Sequence, residues 1–596
     1  MPNSFYKEKI SSTNVLIKDQ NKKLKTILYS RVGTFICFIF IIFLAIKLDN
    51  LSILYFLFLP ILLFAFFVKY NAKEKLKLSI LQNILTINTK EIASLNGDFS
   101  TFKNGKKFSD SQHSYSHDLD IFGEKSIYQY INRTTSTFSE KKLADYFVNF
   151  VTNKIEIQNR QDAVKELSSE TNWRQEFLAN GQKFESDAND IEELIHWKSE
   201  EISIFKNEIL WKILLWIIPI LVVLATFLSI QNIVPSSFLL FIYLIPLSLV
   251  GKKLKIINHQ HLKISKYLDI LKQNNILSQF IENKEFKSNK LKEIKSNLLS
   301  NNKKASEEIN KLASIAQQLD NRSNPVFAFL MNTFFLWDLN YVLKLKKWLQ
   351  SNEGEIKNWF NAVHEMEVYT SFANYFFNNP TYTFPILSEN IILKTTEIGH
   401  PLLLSQNRVS NDFELTNLQN FVIITGANMA GKSTFLRTIG INITLAMCGL
   451  PVCAKEFEFT PTPLFSSMRT SDSLSENESY FYSELKRLKM IVDKLKNGEQ
   501  LFVILDEILK GTNSKDKAEG SKKFIKQLLK HQVAGIIATH DLSLCSVKED
   551  FPTLVKNNYF DVEIINDKLD FDYKLKQGIC SNMNAEFLMK KMGIIN

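Results

Sequence analysis

The sequence predicts two architectures in one chain: an α/β domain of buried strands near the C-terminus, and a helical body that carries two apolar helical hairpins. Three observations predict it. Phe421–Thr425 is a short apolar run that ends in a glycine-rich loop. Leu501–Leu505 and Gly535–Ala538 are further short apolar runs that stop at polar residues, the pattern of strands covered on both faces. Two pairs of nearly uninterrupted apolar stretches lie at 32–68 and 213–250. At 596 residues the chain exceeds one ordinary core, so several domains are expected.

The loop after the first strand, Gly426-Ala427-Asn428-Met429-Ala430-Gly431-Lys432-Ser433-Thr434, fits G-x-x-x-x-G-K-[ST]. Its glycines let backbone N–H groups point at a phosphate at the positive end of the following helix. Lys432 is then expected on the β- and γ-phosphates, and the Ser433 hydroxyl on Mg²⁺. The run Leu501–Leu505 leads into Asp506 and Glu507. In that arrangement the first carboxylate orders Mg²⁺ and the second activates water. Gly535–Thr539 ends at His540, on the sheet edge where α/β proteins place ligands, and His540 is read as a γ-phosphate sensor.

The wording of these motifs resembles one family. Thr425 through Arg437 resembles the phosphate loop of the MutS family of DNA mismatch-repair ATPases, and Asp506-Glu507-Ile508-Leu509-Lys510-Gly511-Thr512-Asn513 resembles its D-E-I-G-R-G-T-S. Ala538-Thr539-His540, the strand Tyr573–Gly578 and Gly399-His400-Pro401-Leu402 are similar to further parts of the same domain. The resemblance implies an ABC-type P-loop ATPase domain that uses ATP and Mg²⁺. It also implies a dimer in which each site is completed by a signature segment of the other chain. Here that segment is Leu474–Phe481, and Ser479 is expected to touch the γ-phosphate in trans. It departs from the family's S-G-R-S-T-F, with Asn477 for Gly, Glu478 for Arg and Tyr480 for Thr. The adenine-holding positions fall on Arg408, Val409 and Asn411. Arg408 reads either as a guanidinium stacked on the base or as a surface arginine.

Val32–Leu48 and Leu51–Val68 are long enough to span roughly 27 Å as helices, and Ile213–Ile230 with Val234–Val250 repeats the arrangement. Neither pair has a polar face, so transmembrane hairpins are expected. Lysines agree with this. Lys22, Lys23, Lys25 and Arg31 precede the first hairpin, and Lys69, Lys73, Lys75 and Lys77 follow it. Lys206 and Lys212 precede the second, with Lys252, Lys253 and Lys255 behind it. The positive-inside rule then puts both termini and the ATPase domain in the cytoplasm of a multi-pass protein of the cell membrane. Much of the net charge of +10 sits at these flanks, where it would meet anionic lipid. The five cysteines show no paired spacing and are expected reduced. The histidines form no ligand cluster.

The expected layout is a cytoplasmic tail at 1–31, a hairpin at 32–68, a linker at 69–117, a helical core at 118–212, a second hairpin at 213–250, a core and lever region at 251–380, and the ATPase domain at 381–596. Ile157–Leu167 resembles the opening of the MutS helical core. The family's mismatch reader inserts an aromatic residue from an F-x-E motif, and Phe5-Tyr6-Lys7-Glu8 lacks that spacing. Mismatch reading by that route is therefore not expected. The basic stretch from Lys287 to Lys304 is diluted by glutamates and reads more as a solvated face than as a nucleic-acid surface. The leading expectation is a membrane-anchored, homodimeric MutS-type ATPase coupled to a DNA structure. An ATP-driven scaffold or transporter-like ATPase acting on a protein partner is the alternative.

Overall fold

The computed structural model describes residues 2–182, 188–198, 200, 202, 207–300, 303–427, 429–469, 480–510, 512–565 and 568–580. The segment expected as a tail is the first part of a long helix. α1 (Pro2–Lys47) has 46 residues, and after a short turn α2 (Phe58–Leu95) returns along it. Tyr6, Thr13, Gln20 and Ile27 are buried on α1, seven residues apart, the spacing that keeps one face of a long helix against its partners. Two of the contacts on that face are polar hydrogen bonds. Gln20 Nε2 donates to Glu74 Oε2 at 2.6 Å, and the Tyr6 hydroxyl donates to Asn378 Oδ1 at 2.7 Å. The first part of the expected linker is likewise the end of α2.

The body continues through α3 (Lys154–Ser169), α4 (Glu208–Ile230) and α5 (Ser236–Glu282). α5 runs through Val250, the expected end of the second hairpin, without a break. Together, α1, α4, α5 and the stretch Leu51–Leu95 supply four helices long and apolar enough to cross a membrane, and only 6% to 22% of their most apolar windows is buried. α6 (Pro325–Phe335) is a further apolar helix, capped by Asn324. It breaks by 79° into α7 (Trp337–Ser351) at Leu336, where φ is 47°. α8 (Glu355–Asn378) is the spine of the body and buries most of its side chains. Among them Glu367 accepts from Thr135 N and Oγ1 at 2.9 Å each, and burial raises its pKa. Arg133 forms a buried pair with Glu91 of α2 and lies over the Phe102 ring. Asn378 joins this cluster by donating to Glu91 Oε2 at 2.8 Å.

The C-terminal domain holds β1 (Ile386–Leu387), β2 (Leu393–Ile398), β3 (Asn411–Leu415), β4 (Phe421–Thr425), β5 (Glu456–Phe459), β6 (Leu464–Ser467), β7 (Leu501–Asp506), β8 (Val533–Ala538), β9 (Val555–Phe560) and β10 (Leu575–Gln577). The larger sheet has the order β10-β9-β4-β8-β7-β6, parallel except for β10. The smaller is β1-β5-β2-β3. β4, β7 and β8 are almost fully buried, as their unbroken apolar runs require. Gly535 sits where a Cβ would meet the Phe421 ring at 2.4 Å, so the centre of the sheet closes only around a glycine. α9 (Lys432–Met447), α10 (Tyr480–Lys496) and α11 (Ser514–Leu528) complete the domain.

Residues 115–122, which include the expected start of the helical core, form a turn docked on this domain. Asp118 is 1% exposed and accepts four hydrogen bonds: Ser466 Oγ at 2.8 Å, Met468 N at 3.2 Å, Arg469 N at 3.1 Å and Arg487 Nη2 at 3.1 Å. Leu119 is fully buried and fills the space where Gly440 of α9 lacks a side chain. Asp120 pairs with Arg437 at 3.2 Å and with Arg469 at 2.5 and 2.9 Å. Removing a partner from a buried ion pair costs about 3–5 kcal/mol. Asp118→Ala should therefore lower the unfolding midpoint of the C-terminal domain by several degrees, and Asp118→Asn by less. A thermal melt of the Ala variant that overlays the wild type would show that the turn does not hold the two parts together.

Candidate functional site

A cavity of about 580 Å³ opens at the C-terminal ends of β4, β7 and β8, where α/β sheets bind ligands. The phosphate-type loop forms its floor. Gly426 has φ 145° and passes so close to Phe560 that a Cβ would meet its carbonyl oxygen at 2.6 Å. Gly431, at φ 99°, precedes α9 and aims the helix N-terminus into the cavity. Ala427, Met429, Gly431, Lys432, Ser433 and Thr434 line the wall, and Ala430 is buried beneath them. Asn428 lies outside the described residues.

Lys432 is almost buried. Its ammonium donates to Gly426 O at 2.7 Å and Ala427 O at 2.8 Å, and approaches the His540 ring at 3.3 Å. Burial pulls its pKa down to about 8. The charge is thus held by two carbonyls of its own loop, weak partners for a desolvated cation and readily exchanged for phosphate oxygens. Asp506 ends β7 at the same edge. Burial raises its pKa, while a hydrogen bond with the Ser433 side chain works against that rise. A buried carboxylate beside a hydroxyl is a hard-oxygen donor pair, and Mg²⁺ takes one or two such protein ligands together with phosphates and water. Ser433 and Asp506 therefore fit that ion. Among the described residues no cluster of three or more His, Cys, Asp or Glu forms a denser metal site.

Glu507 follows in a left-handed conformation, φ 48°, and turns its carboxylate to His540, with Oε1 at 2.7 Å from Nε2. That hydrogen bond is the main reason its pKa falls to about 2. The turn continues through Leu509, also left-handed at φ 60°. It is held by Glu484 of α10, whose carboxylate accepts from Leu509 N at 2.5 Å and Lys510 N at 3.1 Å. Nothing in the sequence around Glu484 signalled this support.

The opposite wall includes Val409 and Asn411, with His400, Phe435, Phe560 and Tyr573 beside them. Asn411 ties the wall together: its Nδ2 donates to Tyr573 O at 3.1 Å and its Oδ1 accepts from Leu575 N at 2.8 Å. Arg408 takes the other course. Its guanidinium donates to Leu403 O and to the Tyr382 hydroxyl at 3.0 Å, over the Tyr382 ring, outside the lining of the cavity. Tyr573, 43% exposed, also lines the cavity and was visible in the sequence only as part of a closing strand. Ser479 and the rest of the signature segment up to it lie outside the described residues.

Known proteins resemble the chain over this same domain. Residues 422–587 match the family described as MutS domain V. The chain is 32% identical over 218 residues to the DNA mismatch repair protein MutS of Thermotoga petrophila, covering 36% of this chain and 27% of that protein. It is 28% identical over 213 residues to the MutS protein homolog 4 of Homo sapiens, 34% of this chain and 22% of the relative. With the MutS of Caldicellulosiruptor saccharolyticus the identity is 30% over 273 residues, 44% of this chain and 31% of that protein. The chain thus matches about a quarter to a third of the length of these curated relatives. The similarity to the MutS family is thus carried by the C-terminal domain.

Proposed function

We propose that the protein is a membrane-anchored MutS-family ATPase that binds and hydrolyses ATP as a homodimer and couples the cycle to a DNA structure. The observation that carries the ATPase reading is the convergence of Lys432, Ser433, Asp506, Glu507 and His540 on one cavity. On nucleotide binding, Lys432 exchanges its loop carbonyls for phosphate oxygens. Ser433 and Asp506 would hold Mg²⁺, which when bound would supply charge neutralisation at the phosphates. Glu507, ionised at neutral pH, accepts a hydrogen bond from the attacking water, and His540, released from Glu507, donates to the γ-phosphate. Val409, Asn411 and Tyr573 bound the space for the base. Names of the relatives support DNA as the partner; the protein-partner alternative gains ground if no DNA is bound.

Lys432→Ala should weaken nucleotide binding, whereas Glu507→Gln should bind ATP and hydrolyse it about 100-fold more slowly or worse. Turnover and binding are measured on detergent-purified protein with homoduplex, mismatched, branched and single-stranded DNA over a salt series. Wild-type turnover in both variants would sink the ATPase reading. Equal indifference to every DNA would leave the protein-partner alternative.

The dimer is proposed on the resemblance alone, which implies that Ser479 touches the γ-phosphate bound across the dimer interface. Mixing Lys432→Ala with Ser479→Arg protein should restore activity that neither has alone, through one competent site per heterodimer. Normal hydrolysis by Ser479→Arg alone would remove the shared-site idea.

Membrane anchoring is proposed on the exposed apolar faces of the four long helices and on the lysines that flank them. Cysteines introduced at Asn50 and Asn232 should react with an impermeant thiol reagent added outside the cell, and one at Ser351 should not. Release of the whole protein by high salt alone would refute the anchoring.

A further inference from the structure

The sides of α4 and α5 differ in what they meet. α6 packs against both, and its elbow with α7 at Leu336 leaves a groove of about 920 Å³ against α4. Residues 212, 215, 216, 219, 220, 223, 224 and 227 line it, spaced by three and four, so the wall is a single face of α4. From Lys212 to Phe227 that face is about 22 Å long, somewhat more than the roughly 15 Å hydrocarbon depth of one leaflet. Its floor is apolar. Trp216, Ile220 and Phe227 are 75%, 59% and 56% exposed, and Phe335 and Leu343 close the far side.

The groove has one charged end. Lys212 stands near the start of α4, and Lys344 and Lys347 face the groove from α7, while no carboxylate lines it among the described residues. The direction of α7 follows from its contacts with the helix Ala305–Asp320. Trp337 Nε1 donates to Gln318 O and Trp348 Nε1 to Glu308 O, each at 3.0 Å. That helix lies along α5, with Asp320 bonded to Ser265 and Ser306 bonded to Glu282. Asp320 is thus the end nearer the apolar half of α5, and α7 leads away from that half as it proceeds. Lys344 and Lys347 therefore sit on the same side as Lys212, at the border where the apolar face gives way to the polar body.

We propose that this groove binds one anionic glycerophospholipid, its acyl chain along α4 and its phosphate held by Lys212, Lys344 and Lys347. The proposal rests on the membrane reading above. Three cations, with no carboxylate among the described lining residues, over a lipid-length apolar trough suit an anionic headgroup better than a second apolar helix, which would bring no counter-charge. A lipid in this place touches both the hairpin and α7, which packs on the body.

The test uses full-length protein reconstituted in phosphatidylcholine bilayers with a minor fraction of phosphatidylglycerol, followed by gentle detergent extraction and mass spectrometry of the retained lipid. Phosphatidylglycerol should be enriched over its bilayer fraction. The triple variant Lys212→Gln, Lys344→Gln, Lys347→Gln should retain about 100-fold less of it, at about fivefold per lysine lost near an anionic headgroup, with ATP hydrolysis preserved. Val223→Trp, which fills the trough, should lose the bound lipid even with the lysines intact. Equal retention of both lipids by the wild type, or undiminished phosphatidylglycerol on the triple variant, would overturn the site. Protein that carbonate strips from the bilayer has no membrane anchor at all, whereas protein that stays embedded without selectivity refutes the groove alone.

Discussion

A buried carboxylate, Asp118, ties the two halves of this molecule at one turn. Asp118 belongs to the segment that follows the α1–α2 hairpin, yet its oxygens accept from β6, from the backbone just after it and from Arg487 of α10. Two residues on, Asp120 takes Arg437 of α9, the helix that starts at the phosphate-binding loop. The helix after the loop and the two elements that bracket residues 470–479 therefore share one short turn as a common anchor. With Arg487 nearly buried, shearing α9 past α10 would strand charge in a low-dielectric space. Motion begun at the phosphate loop is more cheaply passed on to the helical body as a rigid rotation than absorbed within the domain.

Much of the C-terminal domain was legible in the sequence because its signals are local. Apolar runs of five or six residues mark strands buried on both faces, and the loop and carboxylate motifs fall where those strands end. Lys432, Ser433, Asp506, Glu507 and His540 are brought together because parallel strands present their C-terminal ends at one edge. What was not legible depends on distant partners. Arg408 was assigned by spacing from Asn411, but its long side chain found Tyr382 and a loop carbonyl in place of the cavity. Glu484 and Tyr573 act from elements whose proximity to the loop is set only by the closed sheet.

The helical body hid itself for a different reason. The face that α1 turns inward carries Tyr6, Thr13 and Gln20, so its seven-residue repeat is polar and escapes a search for apolar periodicity. Such a face contributes little transfer energy but strongly specifies register, because a one-residue slip would strand the Glu74 and Asn378 partners. The elbow at Leu336 escaped for the opposite reason: a leucine in a left-handed conformation carries no glycine to announce the turn.

α5 crosses from its apolar half into the helical body as one uninterrupted 47-residue helix, and α1 and α2 likewise continue past their apolar stretches. With these helices seated in a bilayer, no swivel would separate the membrane from the domain that carries the cavity. Two copies would then share one up direction, and the only two-fold axis left to a pair is perpendicular to the sheet of lipid. Their search for each other would be confined to sideways diffusion and a single spin angle, so even a weak interface between such domains would be occupied at copy numbers that leave a freely tumbling equivalent monomeric.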